Sequence, residues 1–543
     1  MSRNNFSRIV LFQRRRVGDF FQSLPAIRNI LSEFDNEDRL YIVVDKSLKI
    51  LRPFFESNIV LMDLGDFFKE FYDIDLGVNA DVNFLNLERG AVVFDTVVNL
   101  NYGLINSLVL NIIPAESKFG FIANRKGGDR RKIVYPLKAA NYFFNSIRHR
   151  SQNRINIADI FCLFSPRFYP TRREILGKTA FTFDKFNKKK KCNNGIKRII
   201  FAVGASSIKR QLDSEELAEI IRLIHADYPD FEIILVGLKE ESDYAKRIED
   251  DIDFHILNIV GKTSLPEVIE ILKTGDIMVS PDTGLLQIAS FIGLKITAIF
   301  LGNANIYETG PYMEGSYVIS PIMDCYPCFE HLKCEFNYEC KKRIKAKDVF
   351  NVVKLILSVG GEDFSLRDLE KGFEENRFNL YRMSGNTITF TPTYILSPVS
   401  VFKSKIDKTE LVSEIFKFEW FRTLSDKKIN VGYNGIINYL TEYFILDLDI
   451  VKLVNDDIMF IKNIAVDALK IRINEISDNF ILFLKGLAVN YPHLSLLLSY
   501  FINEIQFGID MNDKNYIESS FVDIVGFLEN AHITLNKIGS NRI

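Results

Sequence analysis

The chain has 543 residues, too many for one compact domain and enough for two to four. Hydrophobic residues make up 47% and charged residues 25%, ordinary globular values that exclude a disordered chain. A net charge of -2 excludes a protein-wide field for nucleic acid, while leaving room for a local basic patch.

Met1–Ser7 is polar and lacks the apolar core of a secretory signal. No apolar run approaches the roughly 20 residues of a membrane-spanning helix, so the chain is expected to be cytoplasmic. The first lobe opens with a strand at Arg8–Phe12. Phe20, Phe21, Leu24, Ile27, Leu31 and Phe34 then recur at helical spacing, and further strands follow at Leu40–Val44 and Ala91–Val98. This lobe is assigned residues 1–180. A linker over residues 181–197 contains Lys188–Lys191 and Asn193-Asn194-Gly195. The second lobe, residues 198–360, reads as five strands: Arg198–Val203, Glu232–Val236, His255–Val260, Asp276–Ser280 and Lys295–Leu301. Helices start near Asp213, Glu240, Ser264 and Thr283, and a last one spans Ala346–Val359. Such alternation predicts a doubly wound α/β fold with ligands at the carboxyl ends of the strands. Residues 361–543 have apolar positions three or four apart, as at Ile481, Leu484, Leu487 and Ala488, and read as a mainly helical appendix without visible chemistry.

Four constellations carry candidate chemistry. Val17-Gly18-Asp19, before Ser23-Leu24-Pro25-Ala26, makes a tight strand-to-helix turn. Asp19 there fits a helix cap or a carboxylate that takes a proton from an attacking hydroxyl. Gly204-Ala205-Ser206-Ser207 with Lys209-Arg210 lets a backbone approach a ligand and puts a cation beside it, or is a solvated basic pair. Ser280-Pro281-Asp282-Thr283-Gly284 opens a helix whose amides suit a pyrophosphate, with Asp282 or Thr283 as a simple cap otherwise. Cys325-x2-Cys328-x5-Cys334-x5-Cys340 has four thiols that suit one tetrahedral zinc or iron ion, or that stay free and buried; His331 inside the loop reads as a spectator. Arg125, Lys126, Arg130, Arg131 and Lys132 form a basic loop that is solvated or faces an anionic acceptor or membrane. Cys162 and Cys192 read as incidental.

Taken together, the motifs resemble glycosyltransferase family 9, the ADP-heptose heptosyltransferases. The residues that carry the likeness are Gly18-Asp19 with Pro25 six beyond the Asp, Gly204-Ala205-Ser206, Lys209-Arg210, Gly261-Lys262-Thr263-Ser264-Leu265, Asp282-Thr283-Gly284, Gly302 and Thr309-Gly310-Pro311-Tyr312. The likeness covers roughly residues 8–355 and leaves out the appendix. It implies a GT-B architecture of two Rossmann-like lobes, the first facing the acceptor and the second binding the nucleotide sugar. It implies Asp19 as base and Lys209 as leaving-group stabiliser. Gly204, Ser206, Lys209, Glu241, Asp282, Thr283, Gly284 and Gln287 would bind the donor, and Glu241 beside Glu240 matches a carboxylate near the ribose, or is a first-turn acid favoured by the helix dipole.

Departures from the family pattern include Gln287 for a usual His, and Gln13 and Arg15, within Arg14-Arg15-Arg16, for a usual Arg and Asp. They point to a different, more acidic acceptor. The cysteine cluster is similar to that of the bacterial autotransporter protein O-heptosyltransferases, whose four cysteines hold an iron, so Cys325, Cys328, Cys334 and Cys340 are expected to bind a structural ion. No catalytic metal is expected. The acceptors implied are the lipopolysaccharide core and protein Ser or Thr hydroxyls, with no nucleic acid. Peripheral contact with the inner membrane and a homo-oligomer are both compatible with this reading. The rival reading is an assembly or sensor protein that binds a sugar nucleotide without turning it over.

Overall fold

The structure is a computed structural model. It describes residues 8–14, 16–31, 34, 37–74, 92–123, 133–134, 138–164, 196–329, 332–358, 377–385, 394–399, 404–424, 436, 438–440, 444–470, 478–511 and 513–540. The basic loop at 125–132, nearly all of the linker, Arg15, Cys192 and His331 lie outside these residues.

In the first lobe, β1 (Arg8–Gln13) leads into α1 (Val17–Gln22) and α2 (Leu24–Leu31), followed by β2 (Arg39–Val44), β3 (Ile59–Met62), α3 (Leu64–Tyr72), β4 (Phe94–Asn99), α4 (Leu104–Ile112) and β5 (Ala115–Gly120). A short β6 (Ile122–Ala123)–β7 (Ile133–Val134) ladder, α5 (Lys138–Arg148) and α6 (Ile157–Cys162) complete it. The strands form one parallel sheet in the order β3-β2-β1-β4-β5. β1 is apolar on both faces because both are covered. Ile9 and Leu11 share a core with Phe20, Phe21 and Ile27, and Val10 and Phe12 share another with Phe67, Val97 and Leu110. The single helix expected over Phe20–Phe34 is instead two, breaking at Ser23, whose hydroxyl donates to the Phe20 carbonyl at 2.6 Å. Pro25, two residues on, has no amide to continue the first ladder and disfavours it sterically.

The second lobe runs β8 (Lys197–Ala202), α7 (Ser214–Asp227), β9 (Phe231–Val236), α8 (Ser242–Asp250), β10 (Leu257–Asn258), α9 (Leu265–Leu272), β11 (Ile277–Pro281), α10 (Gly284–Ile292), β12 (Lys295–Ile299), α11 (Ile306–Thr309), β13 (Tyr317–Pro321), α12 (Glu339–Lys342) and α13 (Ala346–Leu357). The strand expected over His255–Val260 shortens to β10. The sheet order is β10-β9-β8-β11-β12-β13, all parallel, continued by β14 (Phe378–Gly385) and β15 (Tyr394–Pro398), both antiparallel. The sheet therefore extends past residue 360, where the sequence reading ends the lobe. Phe378, Leu380 and Met383 are buried on β14, so the added hairpin covers the edge that β13 would expose.

The rest of the appendix is β16 (Ser404–Lys405), α14 (Lys408–Leu424), β17 (Phe444–Ile445), α15 (Leu448–Lys470), α16 (Asp478–Asn490), α17 (Ser495–Met511) and α18 (Lys514–Ser540). It is mainly helical, as expected, and it packs on the first lobe. Trp420 of α14 sits 4.8 Å from the Tyr142 ring, 4.9 Å from Tyr500 and 4.8 Å from Phe527, centroid to centroid. The Asn141 amide of α5 donates to the Tyr500 carbonyl at 3.0 Å, and His149 lies between the hydroxyls of Ser495 and Ser499.

The second lobe meets both other parts along one segment. Arg150 makes a two-point ion pair with Glu308, its Nη2 2.6 Å from the carboxylate, and Tyr312 donates to Asp159 at 2.6 Å. Arg154 carries an ion pair to Glu414 of α14 at 2.9 Å and stacks 4.2 Å over the Tyr307 ring. Three parts of the chain thus share one buried polar junction.

Candidate active site at the seam between the lobes

In a doubly wound sheet the ligand crevice opens where the strand order reverses, at the carboxyl ends of the two strands that flank the reversal. In the first lobe these strands are β1 and β4, and in the second β8 and β11. The turn after β1 holds Gly18-Asp19, and the turn after β11 holds Asp282-Thr283-Gly284. The two turns meet. A Cβ on Gly284 would lie 2.9 Å from Val17 Cγ1 and 3.5 Å from the Gly18 nitrogen, and a Cβ on Gly18 would lie 3.4 Å from the Gly284 Cα. Two helix N-termini, one from each lobe, therefore face one another at backbone distance, which larger residues would prop apart. The amides and partial positive charge of both ends are directed into the same seam.

Around Asp19 the first lobe supplies a network of amides. Gln13 Nε2 donates to the Asp19 carbonyl at 3.1 Å, and Asn101 Nδ2 donates to Gln13 Oε1 at 2.5 Å. The Asn101 amide nitrogen donates to Asn99 Oδ1 at 2.9 Å, and Asn99 in turn donates to the Phe121 carbonyl. Gln13, Asn99 and Asn101 are fully buried. They hold the β1 and β4 ends together and so fix the Asp19 turn. Sequence reasoning missed Asn99 and Asn101, although Asn99-Leu100-Asn101 directly after a strand was a usable signal.

On the second lobe, Glu241 occupies a notch made by two glycines. A Cβ on Gly204 would overlap its carboxyl, 1.7 Å from Cδ, and a Cβ on Gly237 would lie 2.5 Å from Oε2. The Leu238 amide donates to Glu241 Oε2 at 2.7 Å, and burial pushes the carboxyl above its ordinary range. Gly204 is buried and Ser206 exposed on the turn leaving β8. Thr283 caps α10, its hydroxyl accepting from the Leu286 amide at 3.2 Å. Gln287, one turn on, is buried; its Nε2 donates to the Thr309 carbonyl at 2.6 Å, while its Oε1 has no hydrogen-bond partner.

Two expected arrangements differ from what the structure shows. Lys209 is expected beside the Asp282-Thr283-Gly284 turn, but its ammonium donates to the carbonyls of Phe329, at 3.2 Å, and Leu332, in the cysteine loop. The residue that reaches Asp282 is Arg210, at 3.0 Å, which also donates to Asn303 at 2.9 Å. Lys209 packs directly against Gly302, whose left-handed φ of 60° and lack of a Cβ allow the approach, and the Gly302 carbonyl accepts from the Cys328 amide at 3.0 Å, so Lys209 stands beside the cysteine loop. Asp282 is therefore a buried partner of Arg210 rather than an open contact, and burial raises its carboxyl above the ordinary range although Arg210 and Arg150 oppose this.

The cysteines are the second difference. Cys325, Cys328, Cys334 and Cys340 are free thiols in one loop. Burial raises the Cys340 thiol, a Gly302 backbone hydrogen bond opposes this, and the other three cysteines add to the rise; burial and neighbouring cysteines also raise Cys325. The Tyr338 amide donates to Cys334 Sγ at 3.3 Å. Among the described residues, however, no three of His, Cys, Asp and Glu converge closely enough to hold an ion. The loop gathers the thiols without closing them into a coordination shell.

Residues 90–339 match the family model of glycosyltransferase family 9 (heptosyltransferase). The matched stretch, a little under half of the chain, is similar to the heptosyltransferase domain of that family. The match takes in the second lobe's motifs and begins after the Asp19 turn. The chain is 21% identical over 310 residues to the lipopolysaccharide core heptosyltransferase OpsX of Haemophilus influenzae, covering 56% of this chain and 81% of that protein. Among solved structures it is similar to the E. coli heptosyltransferase WaaC with ADP, at 12% identity and a TM-score of 0.45, covering 64% of this chain and 99% of that one. It is also similar to the iron-containing dodecameric glycosyltransferase TibC from enterotoxigenic E. coli, at 12% identity and a TM-score of 0.36, covering 65% and 76%. The likeness to family 9 rests on the sequence matches, and the two-lobed fold on the chain's own strand order. Among the described residues no single helix is long and apolar enough to cross a membrane.

Proposed function

We propose that this chain is a family 9 heptosyltransferase that moves a heptose from ADP-heptose to an acceptor hydroxyl in one inverting displacement at the lobe seam. The observation that carries the reading is the meeting of the Val17-Gly18 turn, which Asp19 follows, with Gly284 at the start of a helix of the other lobe, an end suited to anions. Asp19 takes the proton of the acceptor hydroxyl as its oxygen attacks the anomeric carbon. The bond from that carbon to the β-phosphate oxygen breaks, and ADP leaves with the electron pair. The amides of Thr283 and Gly284 receive the charge that develops on the diphosphate. Lys209 joins them by exchanging the Phe329 and Leu332 carbonyls for phosphate oxygens. Gly204 and Ser206 line the nucleotide side, Glu241 accepts from ribose hydroxyls, and the unpartnered Gln287 Oε1 accepts from a donor hydroxyl.

The acceptor is the lipopolysaccharide core or a protein Ser or Thr. The relative OpsX is named for the first, and the cysteine loop favours the second. The reaction is proposed to run in the cytoplasm, at the inner membrane where the acceptor is lipid-borne. The four cysteines are proposed to hold a structural iron or zinc ion, since all are free and share one loop. Binding would draw the sulfurs to about 3.5–4 Å of one another, as sulfurs about 2.3 Å from a shared centre require. Mass spectrometry of products tests the acceptor. ADP-heptose is incubated with heptose-deficient lipopolysaccharide and, separately, with Ser/Thr-rich adhesin peptide, and the proposal requires a heptose-sized mass gain in one of the two. Sugar-nucleotide binding with neither product supports the rival reading of an assembly or sensor protein.

A further inference from the structure

The α16 helix has apolar side chains on both sides, but only one side is covered. Ile481, Leu484 and Leu487 are buried against the appendix core. On the other side Leu482 is 67% exposed, Phe483 48% and Val489 78%, with Lys485 and Gly486 exposed between them. At the end of the helix the patch continues through Tyr491, whose ring centroid lies 5.7 Å from that of the exposed Phe460 on α15. Isolated surface leucines are ordinary, whereas a continuous apolar stripe on one helix calls for a partner.

The charge pattern says which partner. In a chain that is 25% charged, the only Asp, Glu, Lys or Arg between Asp478 and Glu504 is Lys485. Beyond Asp478 at its first residue, the stripe thus offers apolar and aromatic groups and one cation on a long stem, with no further carboxylate along Phe480–Asn490 to meet a phosphate-bearing surface. Its geometry agrees. The Phe480–Asn490 stretch is about 16 Å long, and the chain bends by 114° before Pro492–Ile509 returns into the protein. The helix can therefore lie along a bilayer but cannot cross one. A single helix face of that length is far short of the roughly 800 Å² per partner that a stable dimer buries. Shallow insertion into a headgroup layer needs no more than such a face.

We infer that the exposed face of α16, with Phe460 and Tyr491 at its end, is a membrane-contact surface that rests in the interface of a lipid bilayer. Leu482, Phe483 and Val489 enter the acyl boundary, and Lys485 extends its stem so that the ammonium meets lipid phosphates. The attachment is reversible, as one short apolar face without a polybasic cluster provides no permanent anchor. It does not depend on the reaction proposed for the lobes.

Flotation of the full chain with vesicles of phosphatidylethanolamine and phosphatidylglycerol tests this. The wild type should float with the vesicles, and the Leu482→Glu/Val489→Glu double variant should float about tenfold less or weaker, with its melting curve and ADP affinity unchanged. If that variant does not fold, Leu482→Trp replaces it. The one native tryptophan, Trp420, is buried, so a blue shift on adding vesicles reports on α16. A wild type that stays behind, a double variant that floats equally, or a Leu482→Trp emission that vesicles leave unchanged overturns the inference. So does a wild-type dimer that the double variant turns into a monomer, which would assign the face to a second copy.

Discussion

Gly204 and Gly284 each follow a strand closely and each is a place where another group comes too near for a Cβ, while Gly18 lies against Gly284 at contact distance. Lys209 could not be resolved in the same way, because it and the adjacent Arg210 are told apart only by contacts ninety or more positions along the chain, with Gly302 and the Phe329 carbonyl. The Glu241 notch yields a prediction. Gly204→Ala displaces that carboxyl, so ADP affinity should fall by about 1.5–3 kcal/mol, as for a lost charged hydrogen bond. Calorimetry with ADP reads it, and unchanged affinity contradicts a ribose role for Glu241. A second prediction concerns Glu410 beside Arg154. Burial pushes its carboxyl up to about 7, Arg154 opposing and Glu414 and Asp407 adding to the rise. Between its ordinary 4.5 and about 7 the folded form keeps a proton that the unfolded chain loses. This group's contribution to stability is therefore complete at low pH, falls as pH rises through that window and is level above it. Glu410→Gln should remove a loss on the order of 2–3 kcal/mol between pH 5 and 8. Denaturant unfolding at both values should show a flatter dependence for the variant, and parallel curves would contradict the assignment.

At the scale of elements, the second lobe was legible because its strands are short apolar runs separated by capped helices, as Ser264 with Glu267 at the start of α9 illustrates. The strands β13 and β14 were not, since Tyr317–Pro321 is short and Phe378–Gly385 pairs with it only through a long-range antiparallel register. The cysteine loop is the element with least core of its own. If it holds an ion, protein purified without added metal should contain close to one equivalent of iron or zinc, and chelation should lower the melting temperature more than it lowers the rate of transfer. Less than about a tenth of an equivalent, with four freely titratable thiols in the folded chain, would contradict a structural site. The α14 helix supplies a further prediction. Trp420 joins it to Tyr142 of the first lobe and to Tyr500 and Phe527, so Trp420→Ala should cost about 3–5 kcal/mol of the whole chain's stability. A loss confined to the appendix, with the lobes unfolding at the wild-type denaturant concentration, would show that the two do not fold as a unit.

Across the whole molecule, the appendix is part of the frame that sets the lobes against each other. Arg154 of the first lobe, Tyr307 of the second and Glu414 of the appendix share one buried junction. Nothing in the local pattern of residues 361–543 announces this, because the contacts join positions more than two hundred residues apart. Close by, Asn156 and Asp159 of the first lobe bind the Gly310 carbonyl and the Tyr312 hydroxyl, so the Thr309-Gly310-Pro311-Tyr312 segment is held on the lobe that carries Gly18. The central claim is that sugar transfer takes place at the seam between Gly18 and Gly284 with Asp19 as the base. The measurement that tests it most directly is the rate of acceptor-dependent ADP release from ADP-heptose by the wild type and by Asp19→Asn, with ADP affinity measured on both. The account predicts turnover by the wild type, a loss of about 10²-fold or more in the variant, and nearly equal ADP affinities. Turnover by Asp19→Asn at the wild-type rate would contradict it.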